Sequence, residues 1–108
     1  MRVAKRFLAI LAVLQIAGAT SALAGEVVQV KISDLAFAPA EITVKVGDTV
    51  EWVNGDFIDH TATAKNEDWD VMIVAEKSVR LQLTHTGTIE YYCRIHPGMT
   101  GTIHIAAE

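Results

Sequence analysis

Cysteine is nearly absent from this chain: one residue in 108, Cys93. No disulfide can form within the molecule, so in an oxidising compartment the thiol must be protected, paired between chains or bound to metal. Basic residues are scarce too. Nine Lys and Arg face thirteen Asp and Glu, a formal net charge of −4, and Arg2, Lys5 and Arg6 crowd the N-terminus, leaving the rest more acidic still. That balance disfavours nucleic acid as a partner and suits steered, short-lived encounters with a basic protein patch. Beyond the N-terminal segment there is no 3.6-residue apolar stripe of helical length, no repeat, no low-complexity tract and no internal linker. A helical bundle and a multidomain chain are thereby excluded.

The N-terminal segment has its own logic. Basic residues open it, an apolar run from Phe7 to Ala19 follows, and Ala22-Leu23-Ala24 supplies a small-x-small cleavage pattern. This predicts a secretory signal peptide over residues 1–24, export to the periplasm, and one mature domain over residues 25–108. Gln15, Gly18 and Thr20 interrupt the run, which falls short of the roughly 20 apolar residues of a spanning helix. No stable membrane insertion is expected after cleavage. The mature chain is near the lower size limit for a self-sufficient core, and a bound metal would serve as a staple.

From Val27 onward the apolar residues keep a two-residue period. Val28, Val30 and Ile32 alternate with Gln29 and Lys31, Ile42, Val44 and Val46 with Thr43 and Lys45, and Val79, Leu81 and Leu83 with Arg80 and Gln82. Val50 and Trp52 continue the pattern after a turn at Gly47-Asp48, Ile89 and Tyr91 after Thr86-Gly87, and Ile103 and Ile105 close the chain. Short alternating strands separated by Gly, Asp and Asn predict an all-β sandwich. Residues 55–70 lack consistent alternation and are expected to form a loop region holding His60, with a short irregular strand around Thr61 to Ala64.

The segment YYCRIHPGMTGT carries the chemistry. Cys93, His96 and Met99 follow one another at three-residue steps, placing a thiolate, an imidazole and a thioether in one loop. His60 is the candidate for a second imidazole. Two histidines and a cysteine with a weak axial methionine are the ligands of a blue-copper electron-transfer site. Counting back in twos from Cys93 passes Tyr91 and Ile89, so the thiol is expected to point into the core, a shielded ligand and a poor nucleophile. His85 is expected at an exposed turn, His104 on the polar side of its strand, Met72 in or near the core, and Trp52 in the core. Trp69 is either a packing lid or part of a docking surface.

Residues Ile42 to Asn54, the Asp59-His60 step, Gly87 to Cys93 and His96-Pro97-Gly98-Met99-x-Gly101 resemble a cupredoxin, a type 1 blue copper protein of the plastocyanin and amicyanin group. The two residues between His96 and Met99 are most like amicyanin. The resemblance implies a Greek-key sandwich of about eight strands, one copper ion held by His60, Cys93, His96 and Met99, and redox-protein partners docking near His96. A monomer is expected. Two positions depart from the pattern. Thr61 stands where the family usually has Asn, and Ile95 stands where amicyanin has Pro; unlike proline it keeps an N–H, which is expected to donate to the Cys93 sulfur.

Other classes fit less well. Cys93 as a nucleophile with His60 or His96 as base leaves the methionine without a role and brings no oxyanion-hole motif. A multicopper enzyme needs histidines beside the cysteine, where this chain has Tyr92 and Arg94. Structural zinc has no use for the thioether. Copper delivery or buffering uses the same ligands as electron transfer and is the serious alternative.

Overall fold

Alternation along the chain becomes two facing sheets in the computed structural model, which describes residues 25–108; the expected signal peptide, residues 1–24, lies outside the described residues. Nine strands are present among the described residues: β1 Val27–Ser33, β2 Ala36–Ala38, β3 Glu41–Lys45, β4 Thr49–Asn54, β5 His60–Ala64, β6 Asp70–Ile73, β7 Ser78–Gln82, β8 Gly87–Tyr92 and β9 Thr100–Ala106. One sheet has the order β2-β1-β4-β7, the other β3-β9-β8-β5-β6. Pairs β1–β4 and β3–β9 are parallel and the rest antiparallel. Non-sequential neighbours require the chain to cross repeatedly between sheets, the all-β Greek-key sandwich expected. The count is nine rather than about eight because the three-residue β2 also pairs, antiparallel to β1.

Inward-facing residues of both sheets make one core. Val30 pairs with Trp52 and Val28 with Val50 across β1 and β4, while Ile42 pairs with Ile103 and Val44 with Ile105 across β3 and β9. Trp52 is fully buried, as its phase with Val50 requires, and its indole N–H donates to the Tyr91 hydroxyl across the sandwich at 3.2 Å. Phe37 meets the Tyr91 ring edge-on with centroids 4.7 Å apart. Trp69 resolves as a packing lid, its ring 5.6 Å from Trp52 and 5.7 Å from Tyr91. Burial pushes the Tyr91 phenol up to about 12 despite the Trp52 N–H, so the hydroxyl stays neutral.

Strand β5 fits the short strand expected around Thr61 to Ala64 but opens one residue earlier, taking in His60, which was expected in the surrounding loop. All five of its residues are buried, which removes the alternation by which a strand is recognised. Ala62 and Ala64 face the core; Thr61 and Thr63 lie on the outer side, where Thr63 sits opposite Asp70 and Tyr92. Met72, opposite Thr61, is half exposed rather than in the core. It shares the outer side of the sheet with Thr61, which is the reason it misses the core.

Gly101 lies opposite Tyr91 in the β8–β9 ladder, and its missing side chain is what lets the Tyr91 ring lie over β9. A Cβ there would meet ring atoms at 2.5 to 2.7 Å. Trp52, Phe37 and Trp69 pin that ring, so it cannot step aside. Gly101→Ala is expected to destabilise the fold by about 1–3 kcal/mol through overpacking, measured as a lower midpoint in urea denaturation.

Candidate metal centre

The five-stranded sheet places four side chains of interest at one end of the sandwich, from β5 and from the turn between β8 and β9. Cys93 follows the last residue of β8 and Met99 precedes the first of β9, so both leave a paired ladder rather than a free loop. The Cys93 amide donates to the Met99 carbonyl at 3.0 Å, and the Met99 amide donates to the His96 carbonyl at 2.8 Å. These bonds curl residues 93–99 into a tight hairpin end. Cys93 and Met99 are buried and His96 is half-buried. His60, fully buried, opens β5 instead of sitting in a loop.

The imidazole Nδ1 atoms of His60 and His96 lie 3.8 and 3.9 Å from Cys93 Sγ, and the three donor atoms fall within 4.8 Å of one another. A trigonal ion with metal–nitrogen and metal–sulfur bonds of about 2.0–2.3 Å requires donors separated by about 3.7 Å. The observed spacing fits that requirement, and the donor set of two imidazoles and a thiol suits copper. Met99 is held at the same end by its backbone bonds. Among the described residues this is the one group of three or more His, Cys, Asp or Glu side chains close enough to share an ion. His85 is exposed and bonds to Thr84; His104 stands on the outer face with its ring nitrogens bonded to Thr88 and Glu41.

Asp56 escaped the sequence reading. Its carboxylate lies 2.8 Å from His60 Nε2 and also accepts the Asp34 and Leu35 amides at 2.9 and 3.1 Å. Those amides belong to the two-residue β1–β2 turn, where Asp34 and Leu35 have φ of 53° and 62°. A carboxylate only accepts, so Nε2 carries the proton and Nδ1 presents its lone pair toward Cys93. Burial pushes the Asp56 carboxyl up, but the His60 ring and the Leu35 and Asp34 amides outweigh it and hold it below the ordinary carboxylate range. The detectable signal was an acid four residues before a candidate ligand. Asn54 braces the same segment, donating to the Ile58 and Ile73 carbonyls and accepting the Asp56 amide.

The backbone donor on sulfur differs from the one expected. Thr61 N–H points at Cys93 Sγ at 3.3 Å; Ile95 supplies no such bond among the described residues, because the loop curl brings the His96 amide toward the sulfur instead and leaves Ile95 half exposed. Burial pushes the Cys93 thiol up, but the Thr61 amide, the His96 and His60 rings and the His96 amide prevail and bring it down to about 6.

The cupredoxin-like domain family matches residues 6–105. The chain belongs to the cupredoxins. This cupredoxin is 30% identical to amicyanin of Paracoccus versutus over 84 residues, covering 72% of this chain and 64% of that relative's length. It is 31% identical to amicyanin-alpha of Methylorubrum extorquens over 115 residues, 91% of this chain and 97% of the relative. The solved structure of Paracoccus versutus amicyanin superposes with a TM-score of 0.65 at 30% identity, covering 73% of this cupredoxin and 80% of that chain.

Two outcomes are expected of the site. Asp56→Ala frees the His60 ring and removes its polarising partner, so affinity for Cu(II) should fall about 10–100-fold, measured by competition with a chelator. In the copper-free protein the folded thiol titrates at about 6 and an unfolded one at about 8.5. Between those values the unfolded chain binds the extra proton, so this contribution to stability grows as pH rises through the interval and disappears on acidification through the lower value. Urea midpoints of the copper-free protein should therefore climb more steeply over this interval in wild type than in Cys93→Ser.

Proposed function

We propose that this protein is an exported blue-copper electron carrier, in which His60, Cys93 and His96 would hold one copper ion, Met99 would be its weakest ligand, and redox proteins are its partners. The observation that carries the reading is the spacing of three converging donors, two of them fully buried, at the separation a trigonal ion needs. Copper cycling between Cu(I) and Cu(II) supplies the one-electron capacity. The chain's own residues supply the rest. Asp56 fixes the His60 tautomer, the Thr61 N–H draws electron density from the thiolate, and the full burial of Cys93 and His60 excludes water. A scaffold that holds its donors in place needs little rearrangement when an electron arrives.

A catalytic role finds no support in this geometry. Cys93 is sealed from solvent, so its sulfur cannot reach a substrate carbonyl. His96 is the electron port, since it alone of the three donors reaches the surface. Ile95 is half exposed beside it in the chain, and Leu35, Phe57 and Ile58 stand exposed on the loops that Asp56 joins to His60. Phe57, 86% exposed, was not singled out by the sequence pattern. The acidic balance of the chain steers the approach and these apolar side chains make the brief contact.

Cleavage after Ala24 and delivery to the periplasm complete the proposal, supported by the leader's composition. No helix among the described residues is long and apolar enough to cross a membrane. The mature protein works as a monomer.

Adding Cu(II) to purified mature protein should give an intense blue thiolate-to-copper charge-transfer band, and Cys93→Ser should abolish it. Absence of colour, or colour that survives the substitution, rejects the proposal. Fast electron exchange with a small mediator together with slow copper loss to a chelator supports the carrier; the reverse pattern supports copper delivery.

A further inference from the structure

We infer that Arg94, Asp70, Thr63 and Thr61 form a closed hydrogen-bonded ring on the outer face of the five-stranded sheet, and that this ring positions the Cys93 sulfur against the Thr61 amide. The ring begins at the Arg94 main chain, whose N–H donates to Thr61 Oγ1 at 2.8 Å. Thr61 Oγ1 lies 2.9 Å from Thr63 Oγ1. Thr63 in turn donates to Asp70 Oδ1 at 2.7 Å, and the same oxygen accepts Arg94 Nε–H at 3.1 Å. The path therefore returns to the residue from which it started.

Its direction is determined by one group. An ionised carboxylate only accepts, so the Thr63 proton is committed to Asp70. Thr63 Oγ1 is then left to accept, and the proton between the threonines must come from Thr61. That leaves a Thr61 lone pair for the Arg94 amide. Each hydroxyl donates once and accepts once, and the chain of bonds polarises in one sense. Asp70 is kept ionised by the Thr63 hydroxyl and the Arg94 guanidinium, which hold it below the ordinary carboxylate range.

The ring answers the departure at Thr61. Threonine is shorter than asparagine and offers one hydroxyl, which by itself rotates among its rotamers. Bonds on both sides of Thr61 Oγ1 remove that freedom, and β-branching restricts χ1 further. Arg94 is the residue after Cys93, and Thr61 is the residue after His60. Clamping Arg94 N to the Thr61 side chain therefore sets how far the Cys93 backbone stands from the Thr61 backbone, whose own N–H reaches Sγ at 3.3 Å. Thr61 is fully buried and Thr63 nearly so, whereas the closing Arg94–Asp70 pair is about half exposed. These are positioning residues: none of the ring bonds reaches a candidate donor atom.

The inference rests on the copper reading only for its electrochemical half, and the test separates the two. In copper-free protein, amide hydrogen exchange is measured for wild type, Thr63→Val, which keeps the branched shape and removes the hydroxyl, and Thr61→Ser, which keeps the hydroxyl. Thr63→Val should speed exchange at Arg94 and Thr61 at least tenfold while Val50 and Ile103 stay unchanged, and Thr61→Ser should stay within a few-fold of wild type. Copper-loaded Thr63→Val should show a lower midpoint potential, since a weakened N–H bond leaves more charge on sulfur. Asp70→Ala, at a half-exposed position, should act in the same direction and serves if Thr63→Val does not fold. Unchanged exchange at Arg94 and Thr61, or equal acceleration at every sheet amide, overturns the ring. Local acceleration with an unaltered potential overturns its hold on the sulfur. Failure to bind copper with the exchange pattern intact rejects the carrier reading and retains the ring.

Discussion

The hydrogen bond from the Thr61 amide to the Cys93 sulfur joins the two segments on which the site depends. One segment opens β5 with His60, and the other turns from β8 into β9 with Cys93, His96 and Met99. They are far apart in sequence and neighbours only because β5 and β8 pair in one sheet. A buried thiolate without donors would be costly, and its burial here is offset by the Thr61 and His96 amides. The sandwich behind it, locked across its middle by Trp52 and Tyr91, keeps those donors from relaxing away.

This arrangement divides the work between scaffold and ligands. The ladder bond from Cys93 to the Met99 carbonyl closes the hairpin end irrespective of any ion, and Asp56 orients His60 through contacts that involve only protein. The donors are thus placed by folding, which restricts the choice of metal to one that accepts a trigonal set with a soft sulfur. It also explains the tolerance for a small core: the polar contacts that shape the site also tie the loops of one end together.

Much of the fold was legible because half-buried strands announce themselves by alternation, and β1, β3, β4, β7, β8 and β9 all do. Strand phase also showed that Cys93 points inward, two steps beyond Tyr91. Strand β5 was legible only in part, over Thr61 to Ala64, because both of its faces are covered, which erases the two-residue period, and His60 at its start was accordingly expected in a loop. Met72 was misplaced for a related reason: a lone apolar residue beside an irregular segment carries no phase. The Thr61–Thr63–Asp70–Arg94 ring was hidden more deeply, since its hydrogen-bond partners are brought together by sheet register rather than by spacing along the chain.

The β1–β2 turn gives the site an unexpected boundary. Asp34 and Leu35 hold left-handed backbone conformations that ordinary side chains resist, and their amides grip the same carboxylate that touches His60. A turn 25 residues upstream of the histidine is in this sense part of its mounting. Hairpin tips are usually where chains lengthen or shorten without consequence. Here that freedom is withdrawn, because an added residue would lift the amides from Asp56 and let the imidazole turn. The length of a surface loop is thereby tied to the angle of a buried ring.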